Sequence, residues 1–572
     1  MQSYWDRVLT KRVTRRRAIA STGALTASAA FLAACGGDDD DDDDDGGGGA
    51  AQPTQAGGGA AQPTPGGGGA SAGGAQYGGT FGQTYGSSDS LNILTNPSEY
   101  AGMGGQFVYD HLISTRTNDK APYILEAAEG LEQPDEITLT FKLRQGMKYH
   151  NYPPVNGREV VAEDVKLMQE YAGSLEGIEN NFQVNFLDHV EAPDNYTVIY
   201  VLKAPRAYLF DSRILGHPGP QAIIPHETFD GLNSERQIGS GPFIPDEWTI
   251  NNRYDYVRNP EYHSWGMGEG VLPYRDKTTV LILQDQSAFE AAFRSEQVSY
   301  WTLIPAGNFD SLASSLSSLA QVVQFNGLNP FTWVLNVRTL FQDERVREAC
   351  YRGTNRDQFI DLIYSGNAAA PTGFLSAAMT GYQLDASETE EYFLFDPAEG
   401  KKLIEASGFD QDREVRIMFS GTGVNQQGAE VLKQQWAEIG IKLVADQTQG
   451  ISEMSPRTLQ GDYDTFIGGH PGYDTPSVVM RHNSSDPKHQ FAVSGLVDPH
   501  MDELVVKAEA TTDLEANIEI VKEAQLYAIS HYTGYYNIVS PINRNLLNLK
   551  VQDFEVEASN VAMHRSDLWI KA

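Results

Sequence analysis

Residues 38–74 divide this chain into a part that has nothing to fold with and a part that must fold. Eight consecutive aspartates, Asp38 to Asp45, run into a Gly/Ala/Gln/Pro/Thr tract in which Ala51-Gln52-Pro53-Thr54 returns as Ala61-Gln62-Pro63-Thr64. Like charges repel and glycine is entropically costly to order, so the segment reads as a disordered spacer rather than a cation sink. About 37 residues of such chain give a root-mean-square reach of roughly 35 Å. Fold reasoning therefore starts at Tyr77. A total of 572 residues still exceeds what one core accommodates, and two or three domains are expected.

What precedes the spacer has the layout of a processing segment. Lys11, Arg12, Arg15, Arg16 and Arg17 form a basic region, and an Ala-rich, mildly apolar run follows from Ala18 to Ala34. The run is the length of a signal-peptide core and lies near the lower limit for a membrane-spanning helix. It ends Leu32-Ala33-Ala34-Cys35-Gly36, which resembles the bacterial lipobox, where cleavage before the cysteine leaves its thiol to carry a diacylglycerol. An uncleaved anchor is the alternative. Thr14-Arg15-Arg16-Arg17-Ala18-Ile19 also resembles a twin-arginine export signal, although Ala18 stands where a bulky apolar residue is preferred, so Tat and Sec export both stay open. The whole chain carries a formal charge of −34. Removing residues 1–34 takes away six basic residues and one acidic, leaving about −39, so attachment to a membrane must come from lipid and not from charge. The same acidity argues against nucleic acid as a partner.

From Tyr77 onward strand and helix signals alternate. Ile137–Leu143 and Tyr196–Leu202 alternate with period two and read as strands, the second after a turn at Pro193-Asp194-Asn195. Val165, Met168, Ala172 and Leu175 keep helical spacing. Asp396 to Gly408 is the best-marked helix, with Asp396 as cap, Pro397 in the first turn, Glu399 completing a capping box and Gly408 as the stop. A strand at Glu414–Phe419, a helix with Ala429, Leu432, Trp436 and Ile439 on one face, and a strand at Ile441–Val444 make a βαβ unit. A late helix after the cap Asp513 places Ile518, Val521, Ala524 and Ala528 on one face.

Catalytic signatures are missing from the part that must fold: no H-E-x-x-H or Walker A sequence occurs, and the G-x-S-x-G match at Gly69-Ala70-Ser71-Ala72-Gly73 falls in the glycine-rich spacer, without the strand and helix a nucleophile elbow needs. The twelve histidines are scattered singly, and His482 with His489 lacks metal-ligand spacing. Gly421-Thr422-Gly423 with Gly428 misplaces the third glycine of a dinucleotide loop and reads as a plain strand-to-helix turn. Of the two cysteines, Cys350 lies in a helical stretch and reads as a small buried apolar residue. No metal and no cofactor is expected. Aromatics are what the chain has in quantity. Tyr85, Tyr100, Trp301, Trp333 and Tyr473 fall in loop, strand or strand-end contexts, where they suit either core packing or the wall of an enclosed ligand site.

Several segments resemble the bacterial extracellular solute-binding proteins of the peptide/nickel type. Gly78-Gly79-Thr80-Phe81 resembles the family's opening strand. Phe141-Lys142-Leu143-Arg144-Gln145-Gly146-Met147-Lys148-Tyr149-His150 followed by Val161-Ala162-Glu163-Asp164-Val165 resembles its signature. Ile238-Gly239-Ser240-Gly241-Pro242-Phe243, Arg258-Asn259-Pro260-Glu261-Tyr262 and Asn336-Val337-Arg338 with Asp343–Ala349 follow in the family's order. Two stretches depart from it, Gly353-Thr354-Asn355-Arg356 and Ser295-Glu296-Gln297-Val298. The resemblance implies an α/β, periplasmic binding protein-like fold: two α/β lobes joined by a hinge, plus an extra α/β domain. It apportions the chain as signal peptide 1–34, linker 35–76, lobe I at 77–118 with 235–328 and 536–572, extra domain 119–234 and lobe II 329–535. It also implies that Asp474 meets a peptide's amino group and that Tyr85 contributes from the other lobe.

The function so implied is that of a monomeric lipoprotein, anchored through Cys35 at the outer face of the cytoplasmic membrane or in the periplasm. It captures a small solute, a peptide first, and delivers it to the permease of an ABC importer. Oligosaccharide and metal chelate remain alternative cargoes. A sensor or surface lipoprotein without a permease, and a surface hydrolase, remain alternative classes.

Overall fold

A computed structural model describes residues 74–572 except 86–92, 95–103, 106, 116–122, 176–181, 211–214, 217–218, 232–236, 250, 264–269, 284, 303, 422, 470–475, 477–479, 481–482, 486–493 and 555–566. Cys35 and the spacer lie outside the described residues, as do Tyr100, Tyr473 and Asp474.

Along the chain, β1 (Thr80–Tyr85) is followed by a short pair, β2 (Ile113–Thr115) and β3 (Tyr123–Leu125). Then come β4 (Ala128–Glu132), β5 (Thr138–Leu143), β6 (Leu187–Asp194) and β7 (Thr197–Leu202), a separate four-stranded sheet in the order β4-β5-β7-β6. The helix Ala162–Ser174 buries Val165, Met168 and Ala172, as the periodicity predicts. Next are β8 (Phe243–Thr249), β9 (Arg253–Arg258), β10 (Lys277–Ile282), β11 (Tyr300–Trp301), β12 (Ala320–Asn326) and β13 (Phe331–Leu335). The rest are β14 (Ala368–Ala369), β15 (Glu414–Ser420), β16 (Lys442–Thr448), β17 (Thr465–Gly469), the 14-residue β18 (Tyr535–Asn548), and a terminal pair, β19 (Val551–Gln552) and β20 (Trp569–Ile570).

The main sheet runs β16-β15-β17-β13-β18-β11-β1-β10-β9-β8, with β12 and β14 also on β18. Its first half carries one lobe and its second half the other. β18 belongs to both: Tyr535 to Val539 pair with β13, and Ile542 to Asn548 pair with β12. The chain passes between the lobes twice, at residues 326–331 and within β18. At that crossing Gly327 N–H donates to Pro541 O at 2.9 Å. A Cβ on Gly327 would stand 2.9 Å from Asn543 Nδ2 and 3.1 Å from Pro541 O, so the two crossing segments touch backbone to backbone.

Local rules set most elements. Asp396 caps the helix Pro397–Ser407 by accepting from Glu399 N–H, and Gly408 closes it at φ +74°. β15 and β16 are parallel around the helix Val424–Glu438, a right-order βαβ unit. The late helix, Leu514–Ser530, buries Val521, Ala524 and Ala528 as expected, but Ile518 is only half-buried and the polar Asn517 and Gln525 join the buried face. Hydrogen bonding explains their burial, because Asn517 Nδ2 donates to Ala508 O (2.7 Å) and Thr511 O (3.1 Å) and Gln525 Nε2 to Tyr382 O (2.6 Å). Cys350 is enclosed in the helix Glu344–Arg352, and burial pushes its thiol well above the usual range. No described helix is long and apolar enough to cross a membrane.

Candidate functional site

In one lobe β15, β16 and β17 run parallel and end at Ser420, Thr448 and Gly469. Gly469 pairs with Phe331, the first residue of β13, and Phe331 pairs with Val539 of β18. In the other lobe β1 runs parallel to β10 and β11, and the three end at Tyr85, Ile282 and Trp301. Trp301 pairs with Leu546 of β18. The carboxyl ends of both parallel sets therefore flank residues 540–545, where β18 crosses between lobes. Ligands of α/β sheets bind outside the carboxyl ends of the strands, because helix starts and loops converge there. Here two such edges face one seam, and a hinge runs through it.

The seam's described polar groups are mostly neutral. Gln83 on β1 is 2% exposed, and neither its Oε1 nor its Nε2 has a hydrogen-bond partner. Its registered neighbour is Tyr300, whose hydroxyl accepts from Asn545 Nδ2 at 2.5 Å and is pushed up to about 12 by burial. Thr84 Oγ1 and Trp301 Nε1 are likewise buried without partners. Leaving a buried polar atom unpaired costs about 1–3 kcal/mol, and Gln83 carries two of them near the carboxyl end of β1. The charged groups nearby are engaged. Arg544 pairs with Asp310 at 2.5 Å over the ring of Phe309, and Arg356 donates to Ile538 O at 3.0 Å. No cluster of three His, Cys, Asp or Glu able to hold a metal occurs among the described residues.

The sequence-predicted residues divide. Tyr85 ends β1 at the seam, though its side chain is outside the described set. Tyr473 and Asp474 follow Gly469, the end of β17, by four and five positions, and Tyr100 is also undescribed. Trp301 sits at the seam edge, packed against Phe289 and Phe293 with its N–H unpaired. Trp333 is a correction, because it fills a lobe core rather than a wall. It stacks on Tyr536 at 4.7 Å, meets Tyr351 and Trp436 edge-on, and donates its Nε1 to Thr354 Oγ1 at 3.2 Å. Gln83 and Thr84 were missed. A signal was present for Gln83, a polar residue two positions from Phe81 on the same face of β1; Thr84 lies on the opposite face and had none.

The motifs that carried the resemblance hold joints. His150 N–H donates to Gly239 O at 2.7 Å, its Nδ1 accepts from Gly239 N–H at 3.4 Å, and its Nε2 faces Gly241 O at 3.2 Å. That network assigns the Nε2–H tautomer. Burial lowers the pKa to about 4, so the ring is neutral. Gly239 and Gly241 must lack Cβ because the Val108 backbone lies where one would stand, 2.0 Å from its oxygen at Gly239. Arg158 grips Asp164 and Glu227 and lies over Tyr149. Asn336 Nδ2 donates to Gly461 O and Tyr463 O, and Arg347 to Tyr532 O, Phe341 O and Gln342 O. In the departing stretch, Thr354 gives both Trp333 and Trp436 an acceptor at 3.2 Å.

Residues 123–490 match the profile of the bacterial extracellular solute-binding proteins, family 5, middle region. The chain belongs to this family. It is 25% identical over 464 residues to the dipeptide-binding protein of Escherichia coli K12, covering 73% of this chain and 81% of that one. It is 23% identical over 459 residues to the glutathione-binding protein GsiB of Pectobacterium atrosepticum, covering 77% and 83%. Among solved structures, AppA of Bacillus subtilis in complex with a nonapeptide superposes with TM-score 0.72 at 18% identity, covering 87% of this chain and all of the other. AgaA of A. tumefaciens R10 in complex with agropinic acid does so with TM-score 0.73 at 21% identity, covering 86% and 99%. These likenesses establish the two-lobed periplasmic binding protein fold with its extra domain.

Proposed function

We propose that this family 5 protein is the ligand-capturing lipoprotein of an ABC importer. It is anchored through Cys35, takes a short peptide between its lobes by hinge closure and presents it to a membrane permease. The observation that carries the reading is the convergence of two carboxyl strand edges on the crossing stretch of β18, with Gln83, Thr84 and Trp301 buried and unpaired along one of them. A peptide backbone is a row of alternating donors and acceptors, and Gln83 has one of each to give. Curated relatives named for dipeptides and di/tripeptides support peptide over oligosaccharide or chelate. In this reading Tyr85, Tyr100 and Tyr473 wall the ligand and Asp474 pairs with its amino group. The spacer holds the body clear of the lipid headgroups.

Thermal unfolding of the full chain in detergent, against short peptides, oligosaccharides and nickel chelates, tests this. A ligand at about 100 times its dissociation constant adds about 2.7 kcal/mol. Peptides alone should raise the midpoint, and Asp474→Asn should blunt the rise. A response confined to sugars or chelates refutes the peptide assignment. No response, from protein that native mass spectrometry shows to be empty, refutes the importer reading.

A further inference from the structure

We propose that a clasp between the loop after β7 and the helix pair Pro499–Ala510 and Leu514–Ser530 holds the lobes closed and so sets how long a ligand stays. Arg206 lies over the ring of Phe186 at 4.0 Å and its Nη1 meets Glu509 Oε2 at 2.9 Å. The neighbouring Ala207 N–H donates to Glu509 O at 2.7 Å. Tyr208, at φ +61°, turns its hydroxyl to donate to Asn517 Oδ1. Asn517 is in turn fixed by Ala508 O and Thr511 O. Arg206 and Glu509 are 17% and 7% exposed, so the pair is shielded from solvent screening.

The two sides belong to bodies that the hinge separates. The loop continues the four-stranded sheet, which is tied to the first lobe through His150 with Gly239 and Gly241 and through Ile223 N–H to Asp110 O. The helix pair packs into the core of the other lobe with Val334, Phe466 and Tyr535. The chain crosses between lobes only at 326–331 and within β18, so a rotation there carries the loop and the helices apart. Opening must break the ion pair, the backbone bond and the tyrosine bond together. Apparent affinity falls with the fraction of molecules in the binding-competent form, so residues that never touch ligand control it. The extra domain thereby acquires a role that a two-lobed trap without it lacks.

The test needs no ligand, so it fails or succeeds independently of the cargo assignment. Spin labels go on the full chain in detergent through E136C, on the four-stranded domain, and K433C, on the far lobe; both positions are exposed, Cys350 is buried, and C35S in parent and variants alike removes the remaining thiol. Pulsed dipolar spectroscopy then compares the parent with Y208F, which removes one hydroxyl, with R206A, and with the charge swap R206E/E509R. The parent should show a dominant short distance. Y208F and R206A should shift weight to a longer one, with the closed-to-open ratio falling about tenfold, the equivalent of about 1.4 kcal/mol. The swap should recover part of the loss. Equal distributions in parent and variants, or a parent already at the long distance, overturn the proposal. Y208F removes too little to prevent folding, so a negative result there stands.

Discussion

Thr354→Val is the sharpest test of how the second lobe is built. The Thr354 hydroxyl is fully buried, accepts the indole N–H of both Trp333 and Trp436 at 3.2 Å, and donates to Cys350 O at 2.8 Å. Valine keeps the shape and removes the acceptor, which strands two buried donors beside the stacked rings of Trp333 and Tyr536. At about 1–3 kcal/mol for each stranded donor, the expected loss is about 3–4 kcal/mol. Thr354→Ser keeps the hydroxyl and loses one methyl, so it should cost only about 1 kcal/mol. Urea unfolding followed by tryptophan fluorescence measures both, because the probes sit on the perturbed residue. The difference between valine and serine is the quantity of interest. If the two variants agree within about 0.5 kcal/mol, the indole bonds contribute nothing and the cluster is held by packing alone.

Two further outcomes follow from buried polar groups. His150 titrates near 4 when folded against an ordinary value of 6.5, because burial disfavours its charged form. The unfolded chain therefore binds the extra proton first, and stability falls as pH drops from about 6.5 to about 4, by at most about 3 kcal/mol; His150→Asn should flatten that limb in urea titrations run across the window, and an unchanged slope counts against a neutral His150. Gln83→Leu removes two unpaired buried atoms, so it should raise the ligand-free midpoint by the equivalent of about 1–2 kcal/mol while weakening the peptide-induced shift. A variant that loses stability instead would mean Gln83 is satisfied within the fold and is not part of the seam.

Elements marked by short-range chemistry were legible in the sequence. Asp396, Pro397 and Gly408 fix a helix whatever surrounds them, and period-two runs at 138–143 and 197–202 became β5 and β7. Long-range pairing was not legible. The face of the helix Leu514–Ser530 was read only in part: Val521, Ala524 and Ala528 are buried, but the polar Asn517 and Gln525 also turn inward, as ties to Ala508 and Tyr382. Trp333 and Trp301 look alike as aromatics in strands and both pack on rings in lobe cores; the register separates them only in that Trp301 is the last residue of its strand, beside the crossing stretch of β18. The clasp joins positions 303 apart, and no local pattern at Arg206 or Glu509 announces it.

The same contrast explains why family membership could be read with so little said about cargo. The residues that carry the resemblance, His150, Gly239, Gly241, Asn259, Asn336 and Arg347, saturate backbone groups where one segment crosses another. A joint of that kind tolerates few side chains, since a Cβ on Gly239 meets the Val108 carbonyl directly. It is indifferent to what lies between the lobes. In the proposed reading the strand ends meet the cargo instead, and there Gln83 and Thr84 carry buried side-chain polar atoms that no group within the fold satisfies. Unpaired burial does not by itself mark such a position, since Tyr200 on β7 also buries its hydroxyl without a partner, away from the seam; the place at the end of a parallel strand is what distinguishes Gln83.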